Sequence, residues 1–101
     1  MQTQLRVYRI APGRLDDFVR DWTAGVPPLR RQFGFEVEAW TADADRFIWL
    51  VRWPGPGSFA DADARYYDSP ERKALQPDPA QWLVETETYD LTEVTGGRLA
   101  D

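Results

Sequence analysis

The residues able to do chemistry in this chain are few, and their types set the limits. It contains neither histidine nor cysteine. That removes the commonest general base, the usual zinc ligand, thiolate nucleophiles and disulfides. Arginine, tyrosine and the carboxylates remain. Arg6 and Tyr8 stand two residues apart in Leu5-Arg6-Val7-Tyr8, so a strand presents both on one face. Together they suit an anionic or phenolate substrate, Arg6 supplying charge and Tyr8 a hydrogen bond or proton. The same pair would serve equally as a salt bridge and hydrogen bond positioning a subunit interface. Glu85 and Glu87 share strand spacing, and a buried Glu87 is the candidate base in a chain without histidine. Glu36 and Glu38 repeat that spacing, but charges on an edge strand also serve to discourage aggregation. Arg6, Tyr8 and Glu87 are thus the candidate catalytic residues. Trp40, Phe47, Trp49, Trp53, Tyr67 and Tyr89 are candidates for the wall of a pocket or for a dimer interface. No metal site, phosphate loop or nucleophile elbow is expected, and no cofactor.

Composition narrows the partners. The net charge is −5, with twelve Lys and Arg scattered among seventeen Asp and Glu. This argues against nucleic acid, whose binders carry a basic face, and against an anionic membrane. No apolar run approaches the ~20 residues needed to span a bilayer. A strand pattern begins almost at Met1, which leaves no room for a signal peptide and points to the cytoplasm. With 101 residues, of which 43% are hydrophobic, one globular domain is expected over residues 1–94, followed by a flexible tail at 95–101.

The elements that must position these residues follow from periodicity. Gln4 to Ile10 alternates as a first strand. Leu15, Phe18, Trp22, Val26, Leu29 and Phe33 then step at helical intervals, which places Trp22 in the core. Gly25 and Pro27-Pro28 predict a kink or break near Gly25, with helix resuming around Pro28 and ending at Gly34. Phe35 to Trp40 and Arg46 to Trp53 read as the next two strands. Ser58 caps a helix carrying Phe59, Ala62, Tyr66 and Tyr67. Ser69-Pro70-Glu71 starts a short one. Trp82 to Leu91 is the last strand. The order βαββαβ defines an α+β, ferredoxin-like fold: a four-stranded antiparallel sheet with both helices on one face and the first and third strands in the middle.

The stretch Phe47-Ile48-Trp49-Leu50-Val51-Arg52-Trp53 is apolar on both strand parities, so both faces of the sheet are covered. An even-length loop after the second strand would set Phe35, Val37 and Ala39 with Ile48, Leu50 and Arg52 on the helix side, joined by Leu5 and Val7. Arg6, Tyr8, Trp40, Phe47, Trp49 and Trp53 would then face away from the helices, with Glu85, Glu87 and Tyr89, and Arg6 would pair with Glu87 or Glu85. An odd loop would swap the second strand relative to the third. An open face of that kind exceeds the apolar patch a monomer tolerates. A homodimer, open face to open face, is the expected cover.

Several segments resemble the NIPSNAP family. They are Leu5-Arg6-Val7-Tyr8, Pro12-Gly13-Arg14-Leu15, Gly34-Phe35, Phe47 to Arg52, and above all Tyr67-Asp68-Ser69-Pro70-Glu71-Arg72-Lys73-Ala74-Leu75. The resemblance spans roughly residues 4 to 91. It implies the dimeric α+β barrel superfamily, in which two ferredoxin-like subunits build one barrel from their sheets. Relatives in that superfamily include cofactor-free monooxygenases, haem degraders, cyclases and isomerases. The haem binders rely on a histidine that this chain lacks. Two functions follow as expectations. One is a pocket for an aromatic or polycyclic metabolite, with cofactor-free oxygenase, cyclase or isomerase chemistry. The other is a non-catalytic dimeric binding or scaffolding module.

Overall fold

A computed structural model of the chain describes residues 2–94; the tail at 95–101 lies outside the described residues. Strand β1 (Gln2–Ile10) leads into helix α1 (Leu15–Gln32), and β2 (Glu36–Ala42) and β3 (Arg46–Trp53) follow as a hairpin. Helix α2 (Phe59–Asp68), the single turn α3 (Pro70–Lys73) and a 3₁₀ turn (Pro79–Trp82) precede β4 (Leu83–Leu91). The sheet is antiparallel throughout, in the order β2-β3-β1-β4. This is the ferredoxin-like α+β fold, with β1 and β3 central.

Helix α1 does not break. It runs through Pro27 and Pro28 to Gln32. Each proline removes one helical hydrogen bond, but Val26, Pro27, Leu29 and Arg30 are all buried, and tertiary burial outweighs the local loss. The helix closes on Gly34, whose φ of +94° lies in the left-handed region. There Phe35 N–H donates to Arg30 O at 2.9 Å and Gly34 N–H to Arg31 O at 3.0 Å, the Schellman arrangement for satisfying terminal carbonyls. Ser58 and Ser69 accept from Asp61 N–H and Arg72 N–H as caps of α2 and α3.

The β2–β3 loop decides the faces. Ala42 pairs with Arg46, so the loop is Asp43-Ala44-Asp45 and its length is odd. Val37 therefore lies opposite Val51, and Ala39 opposite Trp49. Phe35 and Val37 face the helices as expected, but Phe47, Trp49, Val51 and Trp53 face them too, all buried. Trp22 of α1 packs on Phe47 and Trp49, with ring centroids 4.7 and 5.4 Å apart. The pairing of Arg6 with Trp49 and Tyr8 with Phe47 carries β1 along. The assignment of Arg6, Tyr8, Phe47, Trp49 and Trp53 to the open face is thus corrected. The larger rings fill the deep layer under the helices. The smaller Leu5, Val7, Ile48 and Leu50 are half-buried on the opposite face, with Trp40 opposite Ile48 and Tyr89 opposite Leu5.

Candidate functional site

The chemistry gathers between the sheet and the helices. Arg6 is buried at 7% exposure. Its Nη2 donates to Asp63 Oδ2 at 3.1 Å, and its Nη1 to the Tyr67 hydroxyl at 3.0 Å. Its Nε and Nη2 also reach Gln4 Oε1, at 3.3 and 2.9 Å. Every nitrogen of Arg6 is therefore hydrogen-bonded. The partner expected from β4 is not used: Glu85 pairs with Arg9 at 2.6 Å on the other face. Burial opposes the charge on Arg6, but the surrounding Tyr67, Asp63 and Tyr8 prevail and hold its pKa above the ordinary value.

Asp63 serves two arginines. Its Oδ1 accepts from Arg30 Nη1 at 2.7 Å. Arg30 is completely buried, its guanidinium 3.8 Å from the Tyr66 ring centre and 4.7, 5.1 and 5.5 Å from those of Phe35, Tyr67 and Trp49. Such rings stabilise a desolvated cation through their faces. Neither Arg30 nor Asp63 figured among the candidates from sequence. A signal for both was present. Arg30 lies four residues after Val26 on the apolar stripe of α1, and Asp63 lies between Phe59 and Tyr66 at helical spacing on α2.

A cavity of about 110 Å³ opens here, lined among others by Tyr8, Trp22, Arg30, Trp49, Tyr66 and Tyr67. Arg72 of α3 and Pro79, Ala80 and Leu83 around the 3₁₀ turn complete it. That turn is tied down by Ala11 N–H donating to Trp82 O at 2.9 Å and by Trp82 Nε1 donating to Asp21 at 3.3 Å. The phenols of Tyr8 and Tyr66 stay protonated at neutral pH. Burial raises the pKa of Tyr8, with neighbouring Tyr67 adding to the effect and Arg6 opposing it; burial likewise raises that of Tyr66, against the pull of Arg30. The cavity lining thus offers donors and two cations, Arg30 and Arg72, but no carboxylate.

The structure brings four of the residues singled out from sequence together: Arg6, Tyr8, Trp49 and Tyr67. Phe47 and Trp53 are core residues that do not line the cavity; Trp53 packs tilted against Phe35, ring centroids 5.0 Å apart, and donates to Pro56 O. Glu87, Tyr89 and Trp40 lie on the far face, where Tyr89 donates to Glu87. Glu87 is exposed and shares no face with Arg6 and Tyr8, because Val7 is its partner in the register. It cannot act with them within one chain. Among the described residues no cluster of three or more His, Cys, Asp or Glu is placed to hold a metal. No helix there is long and apolar enough to cross a membrane.

A cavity between a four-stranded antiparallel sheet and its covering helices places the chain among the ferredoxin-like proteins, and solved structures make the fold more specific. A NIPSNAP domain protein from Burkholderia xenovorans is similar over 95% of this chain and 97% of its own, with a TM-score of 0.81 and 19% identity. A NIPSNAP family protein from Agrobacterium tumefaciens is similar over 94% of each chain, with a TM-score of 0.77 and 15% identity. An antibiotic biosynthesis monooxygenase is similar over 93% of this chain and 99% of its own, with a TM-score of 0.67 and 14% identity. The chain has the fold of these proteins. No protein-family model and no curated protein matches its sequence.

Proposed function

We propose that this is a NIPSNAP-type protein that binds a single-ring metabolite in the cavity between sheet and helices, and that two copies pair through their open sheet faces. The observation that carries the binding reading is the cavity itself, where Tyr8, Trp22, Trp49 and Tyr66 form aromatic walls around a buried arginine. A single ring suits the volume: about 110 Å³ is comparable to the ~150 Å³ cavity that accommodates one benzene. The test is a thermal-shift and tryptophan-fluorescence titration with toluene, benzamide, benzoate and naphthalene. The three single-ring probes raise Tm and quench fluorescence, and naphthalene does not. No response to any single-ring probe rejects the reading.

The pairing rests on the open face. Leu5, Val7, Ile48 and Leu50 form its aliphatic centre, beside Trp40 at 50% and Tyr89 at 48% exposure. Arg9, Arg46 and Arg52 share that face with Glu36, Glu38, Glu85 and Glu87, so a two-fold axis can oppose unlike charges. Sedimentation at micromolar concentration should give about twice the 11.7 kDa chain mass; a clean monomer rejects the pairing.

A catalytic extension has one observation in its favour. A buried cation with two protonated phenols suits the negative charge that develops on an enolate or phenolate oxygen, and a fold neighbour is an antibiotic biosynthesis monooxygenase. With no carboxylate in the lining, proton transfer falls to Tyr8 and Tyr66. Oxygen uptake with a dihydroxyaromatic probe tests it: uptake abolished by Tyr8→Phe supports catalysis, and no uptake leaves a binding protein.

A further inference from the structure

The hydrogen-bond inventory of the cavity is incomplete in a particular way. Four buried side-chain atoms have no partner in the protein: Arg30 Nε, Arg30 Nη2, Trp49 Nε1 and the Tyr66 hydroxyl. All three residues are at least nine-tenths buried, at 0%, 2% and 1% exposure, and all three line the same cavity. Buried polar groups are normally satisfied, and each exception calls for an explanation. Three chance defects would be expected to scatter through the core, whereas these belong to neighbouring side chains around one cavity, with Arg30 packed on the rings of Trp49 and Tyr66.

The unpartnered atoms specify what would satisfy them. All four are, or carry, N–H or O–H donors. Nε and Nη2 form one side of the guanidinium, the fork that matches the two oxygens of a carboxylate; Nη1, on the other side, is already committed to Asp63. The aromatic rings around Arg30 stabilise its charge but offer these N–H groups no in-plane acceptor. The charge count agrees. Arg6 and Arg30 share the single carboxylate of Asp63, which leaves one positive charge uncompensated. Arg72 at the cavity is opposed by Asp78 at 3.4 Å. An uncompensated buried cation is unfavourable, and a monoanion in the cavity removes that penalty.

We infer that the cavity's ligand is a single-ring monocarboxylate whose carboxylate is held side-on by Arg30 Nε and Nη2 and capped by the Tyr66 hydroxyl and the Trp49 indole N–H. This rests on the cavity reading above and adds the charge and orientation of the ligand. The ring lies among Tyr8, Phe18, Trp22 and Val26, the apolar part of the lining.

The probes are benzoate, benzamide, toluene and benzylammonium, titrated into the full chain by calorimetry at neutral pH. Benzoate binds at least about tenfold tighter than benzamide, as a charge-assisted fork requires, and benzylammonium does not bind. In the unmodified protein the Arg30 Nε–H resonance shifts with benzoate and not with toluene, a readout that needs no variant of a buried arginine. Tyr66→Phe weakens benzoate severalfold and leaves toluene unchanged. If toluene and benzamide bind but benzoate binds no better, the carboxylate assignment is overturned and the aromatic cavity stands. If no probe binds, the donors are satisfied by water only, and both readings fail.

Discussion

The two faces of this sheet are built from neighbouring residues of the same strands and differ in kind. Beneath the helices lie Phe47, Trp49, Trp53, Tyr8 and Arg6, large side chains of which all but Phe47 carry a polar group. On the other face lie Leu5, Val7, Ile48 and Leu50 with a border of exposed charges. The first face encloses aromatic surface within one chain and buries two arginines against the single carboxylate of Asp63 and a cage of rings. The second keeps its charges in water, where they cost little, and leaves Leu5, Val7, Ile48 and Leu50 half-buried. On the functions proposed above, the aromatic face would serve ligand selection and the aliphatic face assembly.

The sharpest way to break that comparison is to remove one tryptophan from each face. Trp49 is 2% exposed and packs on Trp22, Tyr8 and Arg30. Trp49→Ala should lower unfolding free energy by about 3–5 kcal/mol, as for other buried aromatics. Trp40→Ala, at a site 50% exposed, should stay within about 0.5 kcal/mol when urea unfolding is read on dilute monomer. Comparable losses at the two sites would mean that the faces have been misassigned.

Next in size is the charge pair on each side. Asp63→Ala leaves Arg6 and Arg30 buried without their counter-ion and should cost about 3 kcal/mol, the lower end for a broken buried pair because Asp63 retains some exposure. Glu85→Ala breaks the exposed pair with Arg9 and should cost no more than about 0.5 kcal/mol. Raising salt should erase the Glu85 effect and leave that of Asp63 largely intact. A smaller change in folding, but a qualitative one in assembly, is expected for Leu50→Asp. Leu50 is half-buried on the open face, so the variant should fold, bind benzoate as before and sediment at the mass of one chain. A dimer that survives this change uses some other surface.

Why the faces were exchanged in the sequence reading is instructive. Strand positions, element order and both serine caps could be read because each leaves a local mark: alternation, a cap residue, a proline at the first helical position. Face assignment depends on one number, the parity of a loop; strands ending at Trp40 and resuming at Arg46 already leave an odd loop, Thr41-Ala42-Asp43-Ala44-Asp45, and the even alternative misplaces the faces. Because β3 is apolar on both parities, and the alternation of β1 sets Leu5 and Val7 against Arg6 and Tyr8, hydrophobicity could not correct the error. Arg6, Tyr8, Trp49 and Tyr67 were picked out by residue type, and type survived the exchange of faces. Glu87 and Tyr89 were placed on the open face, and they lie there; it was their company that changed. Arg30 and Asp63 were passed over because a charged residue on an amphipathic helix is usually solvated. Their spacing from Val26 and from Phe59 and Tyr66 nonetheless puts each on the stripe that turns inward.

The smallest effect is in pH and also differs by face. Tyr8 and Tyr66 have pKa values raised by burial, whereas that of Tyr89 is raised chiefly by its hydrogen bond to Glu87 on the exposed face. In the unfolded chain a tyrosine loses its proton near pH 10. Above that pH the folded state holds more protons than the unfolded one, so stability falls as pH rises. The contribution of each tyrosine is full below pH 10 and is lost progressively toward its higher folded value. Tyr8→Phe and Tyr66→Phe should each flatten the decline in Tm between neutral pH and about 11, at low and high salt alike, because desolvation is not screened. Tyr89→Phe should flatten it only at low salt, since an exposed charge interaction is screened within a Debye length of ~10 Å at 0.1 M. Should the Tyr8 and Tyr66 effects vanish with salt as well, their environment is as wet as that of Tyr89, and the desolvated cavity wall on which the binding proposal stands would be lost with it.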